Sequence, residues 1–266
     1  MGVISKTLNR TFSKFFNPKY YGLLKIVILS GIKSSHQGGK TRISGSRIKY
    51  NDAFSLLGMY NEIIYQENYK FKAKSQKPVI IDCGANIGIS LLYFQKLYPE
   101  AELVGIEADP NVRKLLDENL KTVGCEAKII EKALWSTSGE TLQFGSQGGD
   151  SGSLFSTKNS IDVETIGIKD LLSPYDHIDL LKIDIEGAEY ETLLNCGDEL
   201  KKVDFLFIEF HSFPSKPQGL EDILKITTES GFRYKILPAK RMTQPFINTE
   251  EDCEMDLQLN IFFFRA

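Results

Sequence analysis

The sequence predicts an α/β fold: a doubly wound sheet of seven strands, mostly parallel with the last strand antiparallel, preceded by a helical N-terminal extension. Three observations lead there. From Pro78 onward, short apolar runs alternate with stretches of helical periodicity. The first run ends in a glycine-bearing turn, Asp82-Cys-Gly84-Ala-Asn86-Ile-Gly88. The last two runs have no helical stretch between them, so no crossover can join them and the final strand must turn back.

Taken in order, strands are expected at 79–83, 103–107, 128–134, 178–185, 203–210, 234–237 and 257–264. Helices are expected at 87–97, 110–123, 189–195 and 220–230, and Pro110 supplies the fixed φ favoured at a first helical position. The 140–165 stretch is rich in Gly and Ser, holds two short candidate strands and interrupts the alternation. Seven strands with crossover helices make a Rossmann-like domain, assigned to 77–266, and 1–76 form a basic, mainly helical extension.

Within that extension, Ile4, Leu8, Phe12, Phe15 and Phe16 share one helical face and Lys6, Arg10 and Lys14 the other, which predicts a helix over 4–16 ended by Pro18. The pattern fits first a helix docked on its own protein with solvated lysines, and second one that lies on an anionic membrane or meets an anionic substrate. The apolar 20–32 stretch is broken by Lys25 and too short to span a bilayer. Residues 31–45 read as a loop; Gly39-Lys40-Thr41 ends like a phosphate loop, but Ser34 stands where the first glycine belongs. Residues 54–71 read as a helix.

The 266 residues are 42% hydrophobic and 25% charged, as in an ordinary globular protein. Cys83, Cys125, Cys196 and Cys253 form no CxxC pair, so neither a zinc site nor a disulfide scaffold is indicated and a reducing cytoplasm is expected, with peripheral contact at the inner face of the membrane left open. The net charge of −3 is unevenly shared: residues 1–51 carry ten Lys and Arg and no acid, which leaves the remainder at −13. An anionic partner for the N-terminus follows, and an acidic catalytic domain argues against nucleic acid.

The turn at 82–88 sits where a first strand becomes a first helix, the place where doubly wound sheets hold nucleotide ligands. It lacks the GxGxxG of nicotinamide enzymes, with Asn86 where the second glycine would stand, which weighs against an NAD-dependent oxidoreductase. Gly84 and Gly88 allow close backbone approach to a ligand. Asp82 suits a cationic ligand without phosphate, and S-adenosylmethionine is such a ligand. Glu107, 23 positions after Gly84, ends the second strand near the spacing at which a carboxylate receives ribose hydroxyls.

A second cluster lies in Lys182-Ile-Asp184-Ile-Glu186-Gly-Ala-Glu189, whose first three charged residues alternate onto one face of an extended chain. Glu209 and His211 alternate likewise on the next strand. With the first, fourth and fifth strands adjacent, Asp82, Asp184 and Glu209 are expected to line up along the carboxyl edge and to orient a hydroxyl and take its proton. Lys182 is as readily read as one half of a buried ion pair. His211 is open to three readings: base, metal ligand or hydrogen-bond donor.

These runs, with Ile208-Glu-Phe-His and Val163-Glu-Thr, resemble the FkbM-type methyltransferases over about residues 62–264. The resemblance implies a class I enzyme using S-adenosylmethionine to methylate hydroxyls of sugars or secondary metabolites. It implies cofactor contacts at Asp82, Gly84, Asn86, Gly88 and Glu107, to which Ala85 and Ala133 are added. On the substrate side it implies Asp184, Glu186, Glu209 and His211. Asp184 is the first choice for the base, Glu209 or His211 the second, with Glu186 and Lys182 beside them. The expected acceptor is a small molecule or glycan, free or lipid-linked, with membrane contact through residues 4–30. A non-catalytic nucleoside-binding protein of the same fold is the alternative.

Overall fold

The computed structural model describes residues 17–32, 37–145, 160–214, 216–239 and 255–265; the helix expected over 4–16 lies outside them. The chain begins with helix α1 (Pro18–Ile32) and a hairpin, β1 (Gly39–Ile43) and β2 (Ser46–Tyr50), followed by α2 (Ala53–Met59) and a π-helical turn at Tyr60–Tyr65. The hairpin corrects the loop expected at 31–45. Thr41 and Ile43 on one strand, and Ile48 and Tyr50 on the other, are buried in alternation beneath a Gly-, Ser- and Lys-rich composition. Ser44 and Gly45 both take left-handed φ, as a tight two-residue hairpin turn demands. The helix expected to run to 71 stops sooner, because Glu67 turns left-handed at φ 55.

The main sheet then builds as β3 (Val79–Cys83), α3 (Ile89–Leu97), β4 (Glu102–Ile106), α4 (Pro110–Val123) and β5 (Lys128–Ile130). A side sheet follows, made of β6 (Ala133–Trp135), β7 (Thr141–Gly145) and β8 (Ser160–Gly167), so the single strand expected over 128–134 is in fact two, in two sheets. After α5 (Ile168–Leu172) the chain returns through β9 (Ile178–Ile183), α6 (Glu189–Leu194), β10 (Val203–Ser212), α7 (Leu220–Glu229), β11 (Arg233–Pro238) and β12 (Leu257–Phe264).

The seven-stranded order is β11-β12-β10-β9-β3-β4-β5. β3 pairs in parallel with both β4 and β9, β9 with β10, and only β12 runs antiparallel to its neighbours, as the missing crossover required. The order reverses between β3 and β4 on one side and β9 on the other, which opens a crevice at the carboxyl ends of those strands. Asp82 faces Lys182 across the β3–β9 ladder, and Glu209 faces Asn260 across β10–β12.

Two apolar cores sandwich the sheet. Ile81, Leu181, Ile208 and Phe210 pack on one side, and Ile80, Leu91, Phe94 and Phe207 on the other. The second core also contains Ile26, Ile48, Leu56, Tyr60 and Tyr69, so residues before 77 share it. Asn119 of α4, nearly fully buried, fastens this arrangement: its side chain accepts the Lys49 N–H at 2.8 Å and donates to the carbonyls of Lys49 and Ile87, each at 2.9 Å. Among the described residues no helix is long and apolar enough to cross a membrane.

Candidate active site

A cavity of about 300 Å³ opens at the sheet reversal, at the lower end of the range for small-ligand sites. One wall comes from the β3–α3 turn (Gly84, Ala85, Asn86), the end of β4 (Glu107, Ala108, Asp109) and the side sheet (Ala133, Leu134, Phe144). The other comes from the ends of β9 and β10 (Lys182, Asp184, Glu186, Glu209) and from the N-terminal segment and β12 (Glu62, Tyr69, Gln258).

The first wall is built by backbone bonds that cross between strands. Gly84 and Ala85 N–H groups donate to the Ile106 carbonyl at 3.0 and 2.9 Å, and Asn86 stands at a left-handed φ of 47. Strain of that kind gathers at ligand sites. The Glu107 carboxylate holds the turn in place, accepting the Asn86 N–H on Oε2 and the Asp109 N–H on Oε1, each at 2.9 Å. Burial raises its pKa to about 7 despite those two bonds. Each oxygen keeps a lone pair for a further donor.

Gly84 is required for a reason other than ligand clearance. A Cβ there would lie 1.8 Å from the Asp184 carbonyl oxygen. Gly88, at φ 88, starts α3 and stands behind the cavity wall, where its role is conformational.

Asp82 corrects the expectation more sharply. It is fully buried and does not line the cavity; Ser90 donates to its Oδ2, and the Lys182 ammonium lies 3.1 Å from its Oδ1. It therefore touches the crevice only through Ser90 and Lys182, both of which line it. The Lys182 ammonium pairs with Asp82 and with Asp184 Oδ2 at 3.2 Å, and donates to the Gly84 carbonyl at 3.2 Å. Against burial, the Asp184 and Asp82 charges push its pKa upward, so it stays an ammonium. Of its two readings, the buried ion pair is the one this geometry supports.

The second wall gathers carboxylates. Burial raises Glu209 to about 8, with Asp184 and Glu62 adding repulsion. Burial likewise raises Glu186 and Glu62. Gln258 donates to Glu209 Oε1 at 2.7 Å. Glu186 is held at a left-handed φ of 55 by the loop after β9, whose Ile185 and Gly187 N–H groups donate to Glu189 Oε1. His211 sits behind this wall, not in it. Its Nδ1 lies 3.1 Å from Glu189 Oε1 and its Nε2 3.7 Å from Glu186. Against burial, the Glu189 carboxylate raises His211 to about 10.

The structure thus brings Asp184, Glu186, Glu209 and Lys182 together opposite Gly84, Ala85, Asn86, Glu107 and Ala133. Sequence reasoning missed Glu62, Tyr69 and Gln258. Glu62 is an acid inside the apolar run Tyr60-Asn-Glu-Ile-Ile-Tyr65, and that was its one signal. It accepts hydrogen bonds from Asn68 at 3.4 Å and Asn260 at 3.0 Å, and it stands on the π-helical turn, a feature frequent at functional sites.

Comparison with known proteins follows the same outline. Methyltransferase sdnD of Sordaria araneosa is 28% identical over 178 residues, 53% of this chain and 69% of that one. The 2-O-methyltransferase NoeI of Sinorhizobium fredii is 29% identical over 155 residues, 50% of this chain and 63% of that one. A solved methyltransferase FkbM from Methylobacillus flagellatus superposes with a TM-score of 0.47 at 15% identity, covering 80% of this chain and 53% of that one. The model of the methyltransferase FkbM domain matches residues 82–234, more than half of the sequence, and the chain belongs to the FkbM family of S-adenosylmethionine-dependent methyltransferases.

Proposed function

We propose that this chain moves the methyl group of S-adenosylmethionine onto a hydroxyl of a sugar, glycan or other small molecule. The observation that carries the reading is the single cavity joining the Gly84–Glu107 wall to the Asp184–Glu209 wall. A nucleoside fits the first wall, because Glu107 has a lone pair left on each oxygen for the two ribose hydroxyls. When bound, S-adenosylmethionine supplies an electrophilic methyl on a positively charged sulfur. Asp184, or Glu209 with its pKa near 8, accepts the acceptor's proton as the hydroxyl oxygen bonds the methyl carbon and the carbon–sulfur pair passes to sulfur. Holding oxygen, carbon and sulfur in line supplies most of the rate. That NoeI is named a 2-O-methyltransferase supports oxygen as the acceptor atom.

Calorimetry with S-adenosylhomocysteine, with NAD as the control, tests the first half of the reading. Transfer of labelled methyl to a panel of hydroxylated acceptors tests the second. Micromolar binding of S-adenosylhomocysteine and none of NAD is expected. Binding of NAD alone would replace the reading with a dehydrogenase, and binding of neither with a non-catalytic relative.

A membrane-facing acceptor is favoured by a separate observation. Tyr21, Leu24, Val27 and Ile28 of α1 stand 39% to 62% exposed, within the segment that carries ten basic residues and no acid. Apolar side chains beside Lys and Arg suit the surface of an anionic membrane, where a lipid-linked glycan would be met. Flotation with anionic vesicles is expected to recover the chain and to fail after Tyr21→Ser with Ile28→Ser; equal recovery of both forms would remove the membrane from the proposal.

A further inference from the structure

Three side chains, two on the cavity wall and one just behind it, converge as ligands do. One ligand atom each from Asp184, Glu186 and His211 lies within 4.8 Å of the others. They come from two places, the loop after β9 and the end of β10, so sequence proximity alone does not account for their meeting. The imidazole is already oriented. Glu189 is fully buried and accepts the Ile185 and Gly187 N–H groups on the same oxygen that faces His211 Nδ1, which fixes the carboxyl group against the ring. Nδ1 thus faces Glu189, and Nε2 turns toward Glu186, at 3.7 Å, and Glu209, at 3.9 Å, where a bound cation would take the place of the second ring proton. A carboxylate gripping the far nitrogen of a histidine is the outer support that metal-bound imidazoles regularly have.

The charge around them points the same way. Glu62, Asp184, Glu186 and Glu209 all line the cavity, and among the described residues lining that wall Lys182 is the one ammonium, spent on Asp82, Asp184 and the Gly84 carbonyl. Gln258 faces His211 Nε2 at 3.4 Å but is engaged at 2.7 Å with Glu209, so it neutralises nothing. Carboxylates gathered in a confined space favour a cation among them.

We propose that Asp184, Glu186 and His211 bind one divalent cation, of the class that takes mixed oxygen and imidazole ligands, with the remaining positions open to the cavity. Cation binding stands on these residues alone. Its use, holding and polarising the acceptor hydroxyl, rests on the methyl-transfer reading.

The test uses the full chain, stripped with chelator and titrated with Mn²⁺ while free ion is followed by electron paramagnetic resonance. One saturable ion per chain is expected, weakened at least about tenfold by Glu186→Gln and by His211→Gln, the latter keeping a donor for Glu189. The chain carries its own control, because His177, Asp179 and Asp204 form a second convergent group at the opposite end of β9. His177→Ala should leave the ion in place. Absence of saturable binding overturns the site, and so does binding abolished by His177→Ala and untouched by Glu186→Gln. S-adenosylhomocysteine calorimetry on the same samples separates the two readings: cofactor binding without Mn²⁺ binding overturns the cation site alone, and Mn²⁺ binding without cofactor binding supports the site while the methyl-transfer reading fails.

Discussion

The α-carbon of Gly84 and the carbonyl oxygen of Asp184 stand so close that no side chain can separate them; a Cβ would come within 1.8 Å of that oxygen. The contact joins the two walls of the cavity, and Asp184 returns it by donating its N–H to the Cys83 carbonyl at 3.1 Å. Gly84→Ala must therefore push the two loops apart as well as strain a φ of 85. A loss of at least about 2 kcal/mol is expected from overpacking and left-handed strain together, with S-adenosylhomocysteine binding lost. Thermal melts and calorimetry check it, and a variant with wild-type values for both would show that the loops part at little cost.

On the proposed reading, Glu107 governs the pH response of cofactor binding. Its pKa is raised to about 7, so the folded chain holds that proton more tightly than the unfolded chain does. The stability this lends is full below the ordinary glutamate pKa and is lost as pH rises through about 7. Ribose binding runs the other way, because the ionised carboxylate is the better acceptor. Affinity for S-adenosylhomocysteine should rise about tenfold between about pH 6 and about pH 8, following the ionised fraction. In Glu107→Gln the profile over that range should be flat and the affinity low; a slope that survives the substitution assigns the titration to another group.

Lys182 is predicted to matter for folding before chemistry. Replacing it with Met leaves Asp82 buried without its counter-ion, which costs about 3–5 kcal/mol for pairs of this kind. Adding Asp82→Asn should return a large part of that loss, because the unpaired charge is then gone. A urea-unfolding cycle over the two single variants and the double variant measures the coupling. Strict additivity would mean that the pair is not what holds Lys182 in place.

Asp184→Asn separates binding from turnover. Asn keeps the shape and leaves the Asp184 backbone bond to Cys83 intact, so S-adenosylhomocysteine affinity should change little. Methyl transfer should fall by about a hundred- to ten-thousand-fold, the usual cost of losing a positioned base. Unchanged turnover would move the base to Glu209.

Much of this was legible in the sequence, because the controlling signals are local. The strand at Val79–Cys83, the helix at Pro110–Val123 and the strand at Leu257–Phe264 follow from short-range periodicity and fall at the expected bounds. The adjacency of Asp184 and Glu209 followed from strand order alone. What escaped depended on contacts distant in sequence. The β1–β2 hairpin was hidden because its polar composition masks an alternation that matters only once α4 lies beneath it. Glu62 showed only as an acid inside an apolar run, because it reaches the cavity by pairing with Asn260, 198 positions away. Asp82 was placed in the crevice because a carboxyl edge was foreseen but not the depth at which Lys182 and Ser90 would draw the acid under.

Asn119 carries a consequence for how this chain can be divided. One amide on α4 holds both backbone groups of Lys49 and the carbonyl of Ile87, two residues past Ala85 of the cofactor turn. The N-terminal hairpin and the turn after β3 are therefore anchored to a common post. Cutting at residue 76 would remove Glu62 and Tyr69 from the cavity wall, open the core over Phe94 and Phe207, and leave Asn119 to face water. The packing thus extends beyond the 82–234 stretch by which its family is recognised, and graft or truncation experiments should carry the early residues along with it.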